Sequence, residues 1–123
     1  MTRLAELDFD DRNHGGVRVA RLSGELDLSN VRDVGDALAP AVSGEAIGLV
    51  LDMSELRHLD SAGLRMLFDL RRRLGQRRQE LVLVVPQTAR IREVLELAAV
   101  EQTITVVPAV DAAVAAVRDA TRG

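Results

Sequence analysis

The stretch from Leu49 to Leu64, Leu-Val-Leu-Asp-Met-Ser-Glu-Leu-Arg-His-Leu-Asp-Ser-Ala-Gly-Leu, constrains the fold more than any other part of the chain. An apolar run ending in Asp52 suits a strand covered on both faces, because a half-solvated strand alternates apolar with polar residues and this one does not. From Gly63 the spacing turns helical. Met66, Leu67, Leu70 and Leu74 fall toward the core, while Arg65, Arg72 and Arg73 face outward. A buried strand leading into an amphipathic helix calls for a layered fold in which helices cover a sheet. His58 lies on the approach loop between them, and Asp60 and Ser61 stand at the loop–helix junction. Ser and Asp are preferred helix caps, since their oxygens accept hydrogen bonds from the free N–H groups of the first turn. Ser61 therefore has two readings, a cap or a hydroxyl presented for chemistry.

The flanking segments repeat the theme. Thr2 to Phe9 alternates, with Ala5, Leu7 and Phe9 on one side, and Val17 to Leu22 reads as a second strand. The turn-prone residues from Asp10 to Gly16 between them predict an antiparallel hairpin. Leu28, Val31, Val34, Leu38 and Val42 recur at helical spacing, with Asp27 a candidate cap and Ser43-Gly44-Glu45 a terminator. Gly75 is the predicted stop of the 63–75 helix, and Glu80 to Val85 is a further strand closed by Pro86. Thr88 can cap a helix carrying Ile91, Val94, Leu95 and Ala98; Thr103 to Val107 reads as a strand, and Val110 to Arg118 as a last helix. The order β-β-α-β-α-β-α-β-α predicts an α/β fold: one mixed sheet of about five strands with about four helices packed mainly on one face.

Composition narrows the function. A chain of 123 residues with 47% apolar content is one domain able to bury a core unaided. Without cysteine there are no disulfides, thiolate metal sites or thiol nucleophiles. No charged-then-apolar leader and no apolar span of about 18 residues is present, so the expectation is a cytoplasmic protein without membrane insertion. The net charge of −3 and the lack of Tyr and Trp argue against nucleic acid. The cluster Arg71, Arg72, Arg73, Arg77 and Arg78 reads as a solvated basic face near a helix C-terminus. Only His14 and His58 could serve a Ser61 triad, and no Gly-x-Ser-x-Gly elbow exists. With no lysine there is no phosphate-binding Gly-Lys-Ser or Gly-Lys-Thr loop either. The chain is expected to be no enzyme, with no cofactor and no metal.

Two motifs, Gly24-Glu25-Leu26-Asp27 after an early strand and Asp60-Ser61-Ala62-Gly63-Leu64 after the central one, resemble the STAS family in order and separation. Within it the chain is most similar to the bacterial anti-sigma factor antagonists. The resemblance runs from Thr2 to Arg118 and implies a single STAS domain over residues 2–118. It implies that Ser61 is phosphorylated by an anti-sigma factor that is also a serine kinase and that supplies ATP and magnesium. Unphosphorylated chain would bind that kinase and release a sigma factor; phosphorylation would switch binding off, and a protein phosphatase would restore it. The implied partner surface comprises Gly24, Glu25, Asp27, Asp60, Ser61, Gly63, Leu64 and Arg65, with Asp27 and Asp60 as acids on the rim beside Ser61. Two departures stand out, since antagonists commonly carry a second hydroxyl residue where this chain has Ala62, and a Gly where it has Arg65. The alternative is a STAS scaffold or subunit in a transport or stress-signalling assembly, with Ser61 unmodified.

Overall fold

Leucine and valine alternate along the two central strands and so sort themselves onto opposite faces of the sheet. Strands β3 (Gly48–Asp52) and β5 (Glu80–Val84) pair in parallel, with Leu49 opposite Leu81, Val50 opposite Val82 and Leu51 opposite Leu83. The leucines enter one core and Val50, Val82 and Val84 a second one on the other face. Both faces are covered, as the continuous apolar runs require. Each fully buried leucine contributes about 1.5–3 kcal/mol relative to exposure, which fixes the register of these strands.

The computed structural model describes residues 5–12 and 14–122; Thr2 to Leu4 of the expected first strand and Asn13 of the expected turn lie outside them. Strand β2 (Val17–Leu26) lies beside β3 in parallel, and β1 (Glu6–Phe9) closes that edge as the antiparallel half of the hairpin. Strand β6 (Thr105–Val107) pairs with β5 at the far edge, giving the order β1-β2-β3-β5-β6. Helices α1 (Val31–Ala41), α2 (Ser61–Gln76) and α3 (Arg92–Leu97) bury Val34, Leu38, Met66, Leu67, Leu70, Leu74 and Leu95 against the leucine face. Helix α4 (Val110–Arg122) alone covers the valine face, through Ala113 and Val117. The result is the expected mixed α/β layer with helices mainly on one face.

Several local expectations are corrected. The approach loop contains a sixth strand, β4 (Leu56–Leu59), parallel to the end of β2. Its burial does not alternate: Leu56 and Leu59 are buried and Arg57 and His58 exposed, so a period of two was absent from the sequence. Helix α1 starts at Val31 rather than Leu28, because Asp27 holds a turn instead of a helix. Thr88 caps nothing, as α3 begins only at Arg92. Thr103 and Ile104 precede the last strand, and α4 runs beyond Arg118. Helix α2 passes through Gly75. It ends in a Schellman motif, with Arg78 N–H bonded to the Gly75 carbonyl and Gln79 N–H to that of Leu74, and Arg78 itself takes the left-handed φ of +59°.

Candidate functional site

The site is built where β2 changes partners. The pairing of β2 with β3 ends at Arg21, and from Gly24, opposite Leu56, it pairs with β4; at Gly24, with φ +90°, that register slips, so that Glu25 lies opposite His58 and Leu26 opposite Leu59. That positive φ favours glycine, so Gly24 shapes the strand end rather than presenting a side chain. Asn30 then fixes the turn that follows. Buried, it donates from Nδ2 to the Glu25 carbonyl (2.7 Å) and accepts at Oδ1 from the Asp27 N–H (3.1 Å). Asp27 accepts at Oδ1 from the Ser29 N–H (2.9 Å) and hydroxyl (2.5 Å). The Ser29 hydroxyl, then its backbone N–H, hold the Asp27 carboxyl below its ordinary range, against a desolvation that raises it; His58 adds a smaller attraction. Asn30 was missed in the sequence. The available signal was its place at helical spacing before Val34 and Leu38, a polar residue on an apolar stripe.

Asp60 joins this turn to α2. Its Oδ1 accepts from the Gly63 N–H (2.9 Å), the N-cap bond of α2, and its Oδ2 accepts from the Leu28 N–H (3.2 Å). Its own N–H donates to the Leu26 carbonyl (3.3 Å). Each carboxylate oxygen thus accepts a backbone hydrogen bond, and Asp60 staples the two loops together on the rim beside Ser61. Gly63 completes the joint. A Cβ there would lie 2.5 Å from Leu59 Cδ1 and 3.0 Å from the Leu26 carbonyl oxygen, so only glycine lets the helix start approach β2 and β4 this closely. Gly63 is buried, and Leu64 is half-buried against the leucine-face core.

Ser61 is the first residue of α2 and is exposed, and its hydroxyl has no hydrogen-bond partner among the described residues. The capping duty falls on Asp60, which leaves that hydroxyl outward and uncommitted. Arg65, one turn on, is exposed and has no ion-pair partner among the described residues. Beside them a groove of about 360 Å³ runs between α1 and α2, floored by Val31, Gly35, Met66 and Leu70 and flanked by Leu28, which is 78% exposed. The structure therefore gathers Gly24, Glu25, Asp27, Asp60 and Ser61 at one end of the sheet, with Gly63, Leu64 and Arg65 following on α2.

Other chemistry is not assembled. His14 Nε2 lies 3.0 Å from Asp10 Oδ2 in the β1–β2 turn, and no hydrogen bond joins either histidine to Ser61. No group of three metal-ligating side chains converges among the described residues, and no described helix is long and apolar enough to cross a membrane. In the arginine run, Arg72 pairs with Asp69 (2.6 Å) and Arg77 donates to the Val42 carbonyl (2.9 Å).

Known proteins carry the same architecture. A stretch of 64 residues is 33% identical to the anti-sigma-F factor antagonist RsfB of Mycobacterium tuberculosis, spanning 52% of this chain and about half of that relative's length (52%). The crystal structure of an anti-sigma factor antagonist from Mycobacterium paratuberculosis superposes with a TM-score of 0.77 at 28% identity, covering 92% of this chain and 95% of that one. SpoIIAA of Bacillus in its phosphorylated form shares the fold alone, at 19% identity and a TM-score of 0.65 over 91% of this chain and 99% of its own. The STAS domain model matches residues 8–113, most of the sequence and every element of the site, and on that match the chain belongs to the STAS domain family.

Proposed function

We propose that this protein is an anti-sigma factor antagonist that acts in the cytoplasm by binding an anti-sigma factor serine kinase through the Ser61 end of its sheet. Binding by the unphosphorylated form releases a sigma factor. The kinase then transfers the γ-phosphoryl group of ATP to Ser61: the bond from phosphorus to the β-phosphate oxygen breaks, a bond to Ser61 Oγ forms, ADP leaves, and the hydroxyl proton passes to a base of the kinase. A phosphatase resets the switch. One observation carries this reading: Ser61 stands exposed at the start of α2 with an uncommitted hydroxyl, while Asp60 does the capping that would otherwise occupy it. The similarity to RsfB and to the M. paratuberculosis antagonist supports the class of partner.

The switch needs no change of fold. The free N–H groups of a helix start favour an anion by about 0.3–1 kcal/mol, which offsets repulsion from Asp60 in the free protein. In the complex, by contrast, a dianion facing a surface shaped for a neutral hydroxyl would be desolvated and unpaired, at a cost of about 3–5 kcal/mol. Binding then weakens by roughly two to four orders of magnitude. Calorimetric titration of wild type, Ser61→Ala and Ser61→Asp against the cognate kinase tests this, with intact mass after incubation with ATP. The expectation is tight binding by the first two, weak binding by Ser61→Asp, and one added phosphate on wild type only. Equal affinities for wild type and Ser61→Asp, with no gain in mass, would favour an unmodified scaffold.

A further inference from the structure

Arg65 occupies a position with a specific geometric consequence. On a helix, residues four apart are surface neighbours, and side chains lean toward the N-terminus. From its place in the groove, Arg65 is within one helical turn of Ser61 and can reach back over it. Two acids line the groove with Arg65: Asp69, which is held by Arg72 at 2.6 Å, and Asp36 on α1, and neither forms an ion pair with Arg65. Asp60, the acid nearest in sequence to Ser61, accepts from the Gly63 and Leu28 N–H groups and forms no ion pair with Arg65. Asp27 is likewise engaged, by the Ser29 N–H and hydroxyl. Arg65 is thus an exposed guanidinium, without an ion-pair partner among the described residues, one turn from an exposed hydroxyl.

We propose that Arg65 is the clasp for phosphoserine 61: once the phosphate is attached, the guanidinium folds back over one helical turn and holds it in cis. This rests on the reading of Ser61 as a phosphoacceptor. A guanidinium presents a planar fork of donors matched to phosphate oxygens, and an anion placed four residues N-terminal to a cation is the favourable order on a helix. The clasp also withdraws Arg65 from the α1–α2 groove that it lines in the unmodified protein. Phosphorylation would then change the docking surface twice, adding a dianion and removing a cation.

The test uses full-length protein with phosphoserine installed at position 61 by genetic encoding, so that it does not depend on the natural kinase. The phosphate's second pKa is read by ³¹P NMR titration. A free phosphoserine titrates near about pH 6. An exposed cation should lower that midpoint by about 0.2–0.7 in pH relative to Arg65→Ala, with Arg65→Lys recovering part of the difference and salt near about 1 M abolishing it. The helix start and Asp60 are common to all these forms and cancel. Arg32 lines the same groove from α1, so Arg32→Ala is the control and should leave the midpoint where it is. Identical midpoints for wild type and Arg65→Ala, or a difference carried by Arg32→Ala instead, would overturn the clasp. Failure of the cognate kinase to label Ser61 would overturn the underlying reading, and the two outcomes are measured separately.

Discussion

Replacing Asp60 with alanine removes one carboxylate that holds two segments at once, and the cost can be worked from its bonds. Losing the cap to the Gly63 N–H costs about 0.5–2 kcal/mol, and it is felt because Gly63 is buried and water cannot readily take over. The 3.2 Å bond to the Leu28 N–H adds the lower part of the usual range of about 0.5–1.5 kcal/mol, because that amide is exposed. Asp60→Ala should therefore destabilise by about 1–3 kcal/mol. Asp60→Asn keeps one carbonyl oxygen for the cap and gives up the charge at the helix start and the second acceptor, for about 0.5–1.5 kcal/mol. Urea denaturation measures both, and hydrogen exchange at the Gly63 and Leu28 amides locates the loss. The staple reasoning fails if Asp60→Ala costs under about 0.5 kcal/mol, or if both amides keep their protection.

Two further outcomes follow from the same joint. Gly63→Ala places a methyl group 3.0 Å from the Leu26 carbonyl oxygen, which cannot rotate away, so overpacking of about 1–3 kcal/mol should exceed the helix-propensity gain of about 0.5–1 kcal/mol; thermal melting reads the sign, and a stabilised variant would refute the close approach. The Asp27 carboxyl is held low by Ser29, so the order it lends the turn is complete above its ordinary pKa near 3.8 and is lost as pH falls through and below that value; amide shifts of Leu28 to Asn30 followed from about pH 6 to pH 2 should move, and constant shifts would refute it.

The sequence by itself determined the features that repeat locally. The leucine and valine run from Leu49 to Asp52 announced a doubly covered strand, and the spacing from Met66 to Leu74 announced the helix after it, because each pattern is complete within a few residues. The Asp-Ser pair between them marked the helix start, though not which of the two would cap it. That choice belongs to the tertiary structure. Asp60 takes the cap because its other oxygen reaches the Leu28 N–H, 32 residues away, and its own N–H reaches Leu26. Strand β4 was likewise invisible: Leu56-Arg57-His58-Leu59 has no period of two, and it is a strand only because the end of β2, beyond its pairing with β3, offers it an edge. Asn30 stands out in the sequence only as a polar residue on an apolar stripe; its role exists once the carbonyl of Glu25 and the N–H of Asp27 close around it. Even the side of the sheet taken by α4 was undecided, since the valine stripe of Val50, Val82 and Val84 exists only once the strands are in register. Periodicity encodes which face of an element is buried; which element lies against it is set by contacts between residues far apart in the chain.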